Sequence, residues 1–138
     1  MKLLTCCLSV LAVLLPLSAA EPSAKPGAGE PARTSRRVQV DEFEKLWREK
    51  KGVVLDVRTA KEFAEGHIPG AVNLDANSAD FAKKVAELDK SKTYLVHCAA
   101  GGRSARACGK MGELGFTSLV DLTPGFNGWQ KAGKPVEK

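Results

Sequence analysis

Short apolar runs alternate along the chain with segments in which apolar side chains recur every three or four residues. The runs predict strands over residues 38–40, 53–57, 71–74, 94–98 and 119–122. The periodic segments predict a short helix from residue 60 and helices over 42–50, 79–89, 104–114 and 126–131. This alternation indicates an α/β fold: a five-stranded, mainly parallel sheet flanked by helices on both faces.

Polar residues and glycines mark several predicted helix ends. Asp41 is the predicted N-cap of the first helix, and Gly52 is expected to end it. Thr59 and Glu62 have the spacing of a capping box, which predicts the start of the second helix. The second and fourth apolar runs are apolar at nearly every position, which is typical of central strands covered on both faces.

The first 20 residues have the pattern of a signal peptide. Lys2 precedes an apolar stretch over residues 3–17, and Ser18 and Ala20 are small residues before a cleavage site at Glu21. The stretch is shorter than the roughly 20 residues of a membrane helix. We therefore expect a cleaved leader, export to the periplasm and no stable membrane span in the mature form. An uncleaved membrane anchor is the alternative.

Residues 21–35 are rich in Pro and Gly and have no aliphatic side chain larger than Ala. Such a segment cannot bury enough apolar area to offset its ordering entropy, so we expect a flexible linker before one domain over residues 36–138. The net charge of +5 comes without a basic run interleaved with aromatic residues. This argues against nucleic-acid binding and favours a mild attraction for small anions.

Two cysteines, Cys98 and Cys108, lie outside the predicted leader. A strand end, a loop and part of a helix separate them, which is expected to hold the thiols too far apart for a disulfide. Cys108 is expected to pack as a small buried hydrophobic side chain. His, Cys and carboxylate residues do not occur at zinc-site intervals, so no metal site is predicted.

Cys98 ends a predicted buried strand and opens a loop that leads directly into a helix. Ligands of open α/β sheets bind at the carboxyl ends of the strands, which makes Cys98 the candidate catalytic residue. Loop amides and the positive end of the helix dipole favour its thiolate form. Arg103 is expected to offer a guanidinium fork to a bound oxyanion. The candidate substrate-binding or anion-binding residues are Ala99, Ala100, Gly101, Gly102, Arg103 and Ser104.

Polar residues near other strand ends are candidates for supporting roles. Asp56 lies in an apolar strand and must be paired or hydrogen-bonded. Arg58 and Glu62 are four residues apart and are expected to form an ion pair that holds the loop after that strand. His67 is expected to stabilise a turn, with a catalytic base as the alternative. His97 should point away from the candidate thiol, because successive strand residues face opposite sides.

Four motifs resemble the rhodanese, or sulfurtransferase, homology domain over residues 38–136. They occur in the order that is usual for that family, with one departure: the family usually has Gly-Gly where this chain has Pro124-Gly125. The motifs are Leu55-Asp56-Val57-Arg58 with Glu62-Phe63, Gly66-His67-Ile68-Pro69-Gly70-Ala71-Val72-Asn73, Cys98-x-x-Gly101-x-Arg103-Ser104 and Leu122-x-Pro124-Gly125-x-x-x-Trp129.

The resemblance implies a sulfurtransferase that moves a sulfane sulfur from thiosulfate or a similar small anionic donor to cyanide or a thiol, through a Cys98 persulfide. It implies no metal or organic cofactor. A persulfide-carrying or redox module that serves a partner protein is the alternative, favoured by the uncharged Ala99 and Ala100. A Cys-dependent phosphatase or arsenate reductase comes third. Such phosphatases have five residues between Cys and Arg, whereas this loop has four, which predicts a smaller pocket.

Overall fold

The computed structural model describes residues 35–138. The predicted signal peptide and residues 21–34 of the predicted linker lie outside this range, and Ser35 is the first residue of a strand. Strands and helices alternate in the order β1 (Ser35–Val38), α1 (Val40–Arg48), β2 (Val53–Asp56), α2 (Ala60–Glu65), β3 (Val72–Asn73), α3 (Phe81–Ala86), β4 (Tyr94–His97), α4 (Gly102–Glu113), β5 (Leu119–Leu122) and α5 (Gly125–Lys131).

The five strands form one parallel sheet in the order β1-β5-β4-β2-β3. β4 lies in the centre, with His97 beside Asp56 of β2 and Val96 beside Asp121 of β5. The carboxyl ends of these three strands therefore share one edge of the sheet, which is where such sheets bind ligands. The predicted α/β fold is confirmed.

Each face of the sheet is covered by its own hydrophobic core. On one face, α3 and α4 pack through Phe81, Val85, Ala107 and Met111 against Leu55, Val96 and Leu119. On the other face, α1 and α5 pack through Phe43, Phe126 and Trp129 against Val54, Leu95 and Val120. Because adjacent strand residues face opposite cores, the odd and even positions of β4 belong to different environments.

The ends of α1 differ from the prediction. Gln39, not Asp41, is the N-cap residue, and its side chain makes no capping hydrogen bond. The helix starts earlier because Val40 packs against the core, and Asp41 instead places a carboxylate in the first turn, where the helix dipole favours it. The turn after the helix uses Lys50 in a left-handed conformation (φ 52°).

Gly52 does not end α1, contrary to the prediction. It allows a close approach between neighbouring segments, since a Cβ there would lie 2.8 Å from the carbonyl oxygen of Thr93. The start of α2 agrees with its prediction, because Thr59 and Glu62 form the reciprocal capping box. Within residues 35–138, every helix falls short of the length and apolar character needed to cross a bilayer.

Candidate active site

Cys98 follows directly after β4, at the edge where the central strands end. Its side chain belongs to the core under α3 and α4 and is only 1% exposed. The loop that follows turns back sharply at Gly101, whose φ of 95° is left-handed. A Cβ at Gly101 would lie 2.2 Å from the carbonyl oxygen of Thr123, so a side chain is excluded at this position.

The start of α5 holds the other side of the loop. The backbone amide of Phe126 donates to the Cys98 carbonyl at 2.7 Å, and that of Asn127 donates to the Ala99 carbonyl at 3.0 Å. Gly125 is required at this junction, because a Cβ there would lie 2.4 Å from the Ala99 carbonyl oxygen. These hydrogen bonds orient the Cys98 and Ala99 carbonyls toward α5, while the Gly101 amide donates to the thiol.

The backbone of the loop donates a hydrogen bond to the Cys98 thiol. The amide of Gly101 donates to Cys98 Sγ at 3.1 Å. Burial raises the pKa of Cys98, but the Ser104 hydroxyl and the amides of Ser104, Ala100 and Gly101 together outweigh it and lower the pKa below its usual value. α4 begins at Gly102, two residues before the predicted start, so the positive end of its dipole also lies at the thiol.

Arg103 is bound by a carboxylate of α2. Its two terminal nitrogens each donate to a Glu62 oxygen at 2.8 Å. These hydrogen bonds outweigh the effect of burial and lower the pKa of Glu62 to about 2. The guanidinium that was expected to offer a free fork to an oxyanion is thus already paired within the protein.

Arg58 does not pair with Glu62, so that prediction is wrong. Its guanidinium binds the buried Asp56 carboxylate, with an Nη2–Oδ2 distance of 2.6 Å, and donates to the Gly66 carbonyl at 2.8 Å. It also lies 4.0 Å from the centre of the Phe126 ring, a cation–π contact. The pair connects the end of β2 to the helix that holds the Cys98 loop.

The two histidines lie away from the thiol. His67 contacts the Phe63 carbonyl through Nδ1 at 3.0 Å and stacks on the Phe63 ring, as expected of a residue that stabilises a turn. His97 is fully buried in the opposite core, so it cannot act as a base for Cys98. Burial lowers the pKa of His97 to about 4.

Cys108 and Cys98 are both free thiols. Cys108 is buried in the middle of α4, where burial and the Asp121 carboxylate raise its pKa to about 12. It packs as a small hydrophobic side chain, in agreement with the prediction. Within the described part of the chain, three or more His, Cys, Asp or Glu side chains do not come together as they would at a metal site.

Asp121 is a polar residue of the site that the sequence analysis missed. It lies on β5, level with Val96 of β4, is 1% exposed and is on the same face of the sheet as Cys98. The signal was an acidic residue inside an apolar strand, the same signal that singled out Asp56.

A cavity of about 230 Å³ opens beside the loop at Ala99. It is walled by both polar and aromatic groups: Arg58, Glu62, Glu65, Gly66, Phe126, Asn127 and Gln130. The positive charge that Arg58 brings to this opening is neutralised by its pairing with Asp56. Ala99 and Ala100 bring no charge to the loop.

Comparisons with known proteins agree with this fold. The family model described as "Rhodanese-like domain" matches residues 39–132. The chain is 34% identical over 93 residues to "Thiosulfate sulfurtransferase 16, chloroplastic" of Arabidopsis thaliana, covering 60% of this chain and 78% of that protein. It is 36% identical over 103 residues to "Thiosulfate sulfurtransferase GlpE" of Pseudomonas putida (strain GB-1), covering 74% of this chain and 90% of that protein.

The crystal structure of a rhodanese-related protein from Thermoplasma volcanium has the same fold. The TM-score is 0.67 at 31% sequence identity, with 74% of this chain and 97% of that chain covered.

Proposed function

The chain belongs to the rhodanese-like domain family, and we propose on that premise that it is a sulfurtransferase that carries sulfane sulfur as a persulfide on Cys98. The observation that carries the proposal is the hydrogen bond from the Gly101 amide to Cys98 Sγ at 3.1 Å, at a thiol whose pKa is lowered. Donors fixed in this way stabilise an anionic sulfur, which is the form both of the attacking thiolate and of the persulfide.

The reaction has two steps. The Cys98 thiolate attacks the outer sulfur of a donor such as thiosulfate, forming an S–S bond while sulfite leaves with the electron pair of the broken bond. An acceptor, cyanide or a thiolate, then attacks the outer sulfur of the persulfide and releases the Cys98 thiolate. Two half-reactions on one nucleophile give ping-pong kinetics.

The size and charge of the loop favour sulfur over phosphate. Four residues separate Cys98 from Arg103, one fewer than in phosphatase loops of the Cys-x5-Arg type. Arg103 is also occupied by Glu62 through two hydrogen bonds of 2.8 Å. A tetrahedral phosphoryl group would need that guanidinium free to neutralise its charge.

A persulfide carrier for a partner protein is the second candidate. It is favoured by the absence of charge on Ala99 and Ala100 and by the pairing of Arg103, which together give an anionic donor little attraction. A sulfur delivered on a protein thiol would need no such cation.

Thiocyanate formation from thiosulfate and cyanide tests the sulfurtransferase proposal. We expect activity in the full chain, complete loss in Cys98→Ser, and near-normal activity in the matched control Cys108→Ala. The persulfide should add about 32 Da, one sulfur atom, to the tryptic fragment 93–103, in which Cys98 is the one cysteine. Absence of activity and of this mass with every sulfane donor would overturn the proposal.

Turnover separates the two candidates. Rapid loss of the added sulfur to cyanide or to small thiols supports the enzyme, whereas sulfur that stays on Cys98 in the presence of these acceptors supports the carrier. Hydrolysis of an aryl phosphate or reduction of arsenate that depends on Cys98 would instead favour the third candidate, a phosphatase or arsenate reductase.

We also propose that the chain is exported to the periplasm with cleavage before Glu21, on the basis of the sequence pattern of residues 1–20. Fractionation of expressing cells and the mass of the recovered protein test this. Recovery in the periplasm without residues 1–20 is expected, and retention of the full mass in the membrane fraction would support the uncleaved anchor.

A further inference from the structure

Glu65 brings an unpaired carboxylate to the opening beside the Cys98 loop. It is the last residue of α2 and is exposed. It lines the cavity of about 230 Å³ that reaches the loop at Ala99. The ion pairs formed within residues 35–138 all involve other side chains. The negative charge of Glu65 is therefore available to a bound ligand.

The other charged groups at this opening are paired within the protein. The Arg58 guanidinium binds the Asp56 carboxylate, with an Nη2–Oδ2 distance of 2.6 Å. The Glu62 carboxylate accepts two hydrogen bonds of 2.8 Å from Arg103. Each of these pairs has no net charge. Among the residues that the structure places around this cavity, Glu65 is thus the one with an uncompensated charge.

The remaining wall of the cavity is neutral. Asn127 and Gln130 of α5 supply side-chain amides, which can donate and accept hydrogen bonds. Phe126 and Ala99 supply apolar surface. A wall of this kind is complementary to a ligand with one positive charge, a short apolar part and few polar groups.

The volume of the cavity favours a small molecule. Pockets that hold drug-sized ligands measure about 300–1,000 Å³, and this cavity measures about 230 Å³. The proposed persulfide on Cys98 needs an acceptor that brings a thiolate. A small thiol with a positively charged group meets both requirements.

A second cavity near the loop has the opposite charge. It measures about 190 Å³ and is lined by three basic and three apolar residues: Arg103, Arg106, Lys110, Ala76, Phe81 and Ala107. None of residues 98–101 lines it. The cavity at Glu65, by contrast, includes Ala99, which follows Cys98 directly. The acidic cavity is therefore the one that adjoins the nucleophile.

We propose that the cavity at Glu65 binds the sulfur acceptor, and that Glu65 selects a small thiol that carries an ammonium group. This inference rests on the persulfide of the proposed function. The ammonium group pairs with the Glu65 carboxylate while the thiolate of the acceptor attacks the outer sulfur of the Cys98 persulfide. A new S–S bond forms on the acceptor, the bond between the outer sulfur and Cys98 Sγ breaks, and Sγ keeps the electron pair. The products are the acceptor persulfide and the Cys98 thiolate.

Discharge of preloaded Cys98 by matched thiols tests this selection. Cysteamine, mercaptoethanol and mercaptoacetate are of similar size and carry a positive, a neutral and a negative group. Mass spectrometry of the tryptic fragment 93–103 of the full chain gives the rate constant with which each thiol removes the added sulfur. Each rate constant is divided by that for mercaptoethanol, and the ratios are compared between variants, so that the intrinsic reactivity of each thiol cancels.

Glu65→Gln should change these ratios in opposite directions. We expect the ratio for cysteamine to fall about three-fold and that for mercaptoacetate to rise about three-fold, as for an exposed ion pair. Glu65→Lys replaces attraction by repulsion and should lower the cysteamine ratio about ten-fold. At about 1 M salt, charges are screened within about 3 Å, so the differences between the variants should shrink.

Glu87→Gln is the matched control, because it removes an exposed carboxylate from the end of α3. It should leave all ratios unchanged. Circular dichroism establishes that each variant is folded. Equal changes in Glu87→Gln and Glu65→Gln would show that the net charge of the protein, rather than Glu65, decides the preference, and would overturn the proposal.

Alkylation of Cys98 separates this inference from the proposed function, because it needs no persulfide. Bromoethylamine, iodoacetamide and iodoacetate carry a positive, a neutral and a negative group. Relative to iodoacetamide, Glu65→Gln should slow bromoethylamine and speed iodoacetate, each about three-fold. Failure of every sulfane donor to load Cys98 would overturn the proposed function. Unchanged discharge ratios in Glu65→Gln would overturn the role of Glu65 where sulfur loads, and unchanged alkylation ratios would do so where it does not.

Discussion

Cys98 and Cys108 are both almost fully buried, but the pKa values of their thiols are shifted in opposite directions. Their side chains are 1% and 2% exposed and pack in the same core, yet the pKa of Cys98 is lowered while that of Cys108 is raised to about 12. Cys98 sits where a strand has ended and backbone amides are free. Cys108 sits inside α4, where the neighbouring amides are used by the helix itself. Burial alone therefore does not determine the reactivity of a thiol. Its reactivity also depends on whether nearby backbone amides are free to donate hydrogen bonds to the sulfur.

Alkylation of the folded protein should show the largest difference between the two thiols. At pH 8, iodoacetamide should modify Cys98 faster than Cys108 by on the order of 1,000-fold or more, because the thiolate fractions differ by that much. Reactivity of Cys98 should fall as the pH drops through its lowered pKa. Tryptic fragments 93–103 and 107–110 report the two thiols separately.

Unfolding in denaturant is the control for this comparison. Both thiols should then react at similar rates, because neither burial nor the loop amides remain. Equal rates in the folded protein would show that the loop does not activate Cys98.

Gly101→Ala should remove most of the difference in alkylation rate between Cys98 and Cys108. The new Cβ would lie 2.2 Å from the Thr123 carbonyl oxygen in a left-handed conformation, so the loop must move. We expect a loss on the order of 100-fold in Cys98 reactivity. The free energy of unfolding should fall by about 2–4 kcal/mol. Alkylation kinetics and denaturant titration measure the two effects.

Gly102→Ala is the matched control for the neighbouring position. A Cβ at Gly102 meets no atom within 4 Å, and its φ is not in the left-handed region. Activity and stability should therefore be nearly unchanged. Equal losses in the two variants would mean that glycine flexibility, rather than the contact with Thr123, supports the loop.

Glu62→Gln should change the charge beside Cys98 by releasing Arg103. The freed guanidinium should lower the KM for thiosulfate a few-fold, because it attracts an anionic donor. The folded pKa of Glu62 is about 2, below its ordinary value, so its pairing stabilises the fold above pH 4.5 and is lost as the pH falls toward 2. Urea titrations should show a deficit on the order of 1 kcal/mol near neutral pH that shrinks with acid.

Glu87→Gln is the matched control, because it removes one carboxylate away from the loop. Glu87 is exposed and is the C-cap residue of α3. Neither the KM for thiosulfate nor the stability near neutral pH should change. A KM that rises in Glu62→Gln would indicate that the pair is needed to hold the loop in shape.

Cys108→Ala should have the smallest effect. Removing one buried sulfur leaves a small cavity and should cost about 1 kcal/mol of unfolding free energy, with sulfur transfer unaffected. Thermal unfolding and the thiocyanate assay measure the two quantities. A large loss of activity would mean that Cys108 takes part in the chemistry.

The sequence was sufficient to predict the fold and the position of Cys98 at the end of a central strand, because both depend on strong local patterns. Apolar runs and capping residues fixed the order of the elements, and the strand–loop–helix pattern around Cys98 placed the thiol at the edge of the sheet. The ends of α1 were less predictable. The packing of Val40 outweighed the intrinsic preference of Asp41 for an N-cap, which only tertiary structure reveals.

The ion pairs of the site could not be read from spacing. Arg58 and Glu62 have helical i, i+4 spacing, but Arg58 precedes α2 and lies close to Asp56 instead. Glu62 forms its ion pair with Arg103, which is 41 residues away along the chain. Asp121 was missed for a related reason: its burial depends on how α4 packs on the sheet, which spacing along the chain does not show.

The carbonyls of Cys98 and Ala99 accept hydrogen bonds from amides at the start of α5, the last helix along the chain. The donors around the thiol therefore reach their positions only after β5 and α5 have docked. The lowered pKa of Cys98 is thus a property of the completed fold, and it depends on the last two elements of the chain as much as on the loop itself.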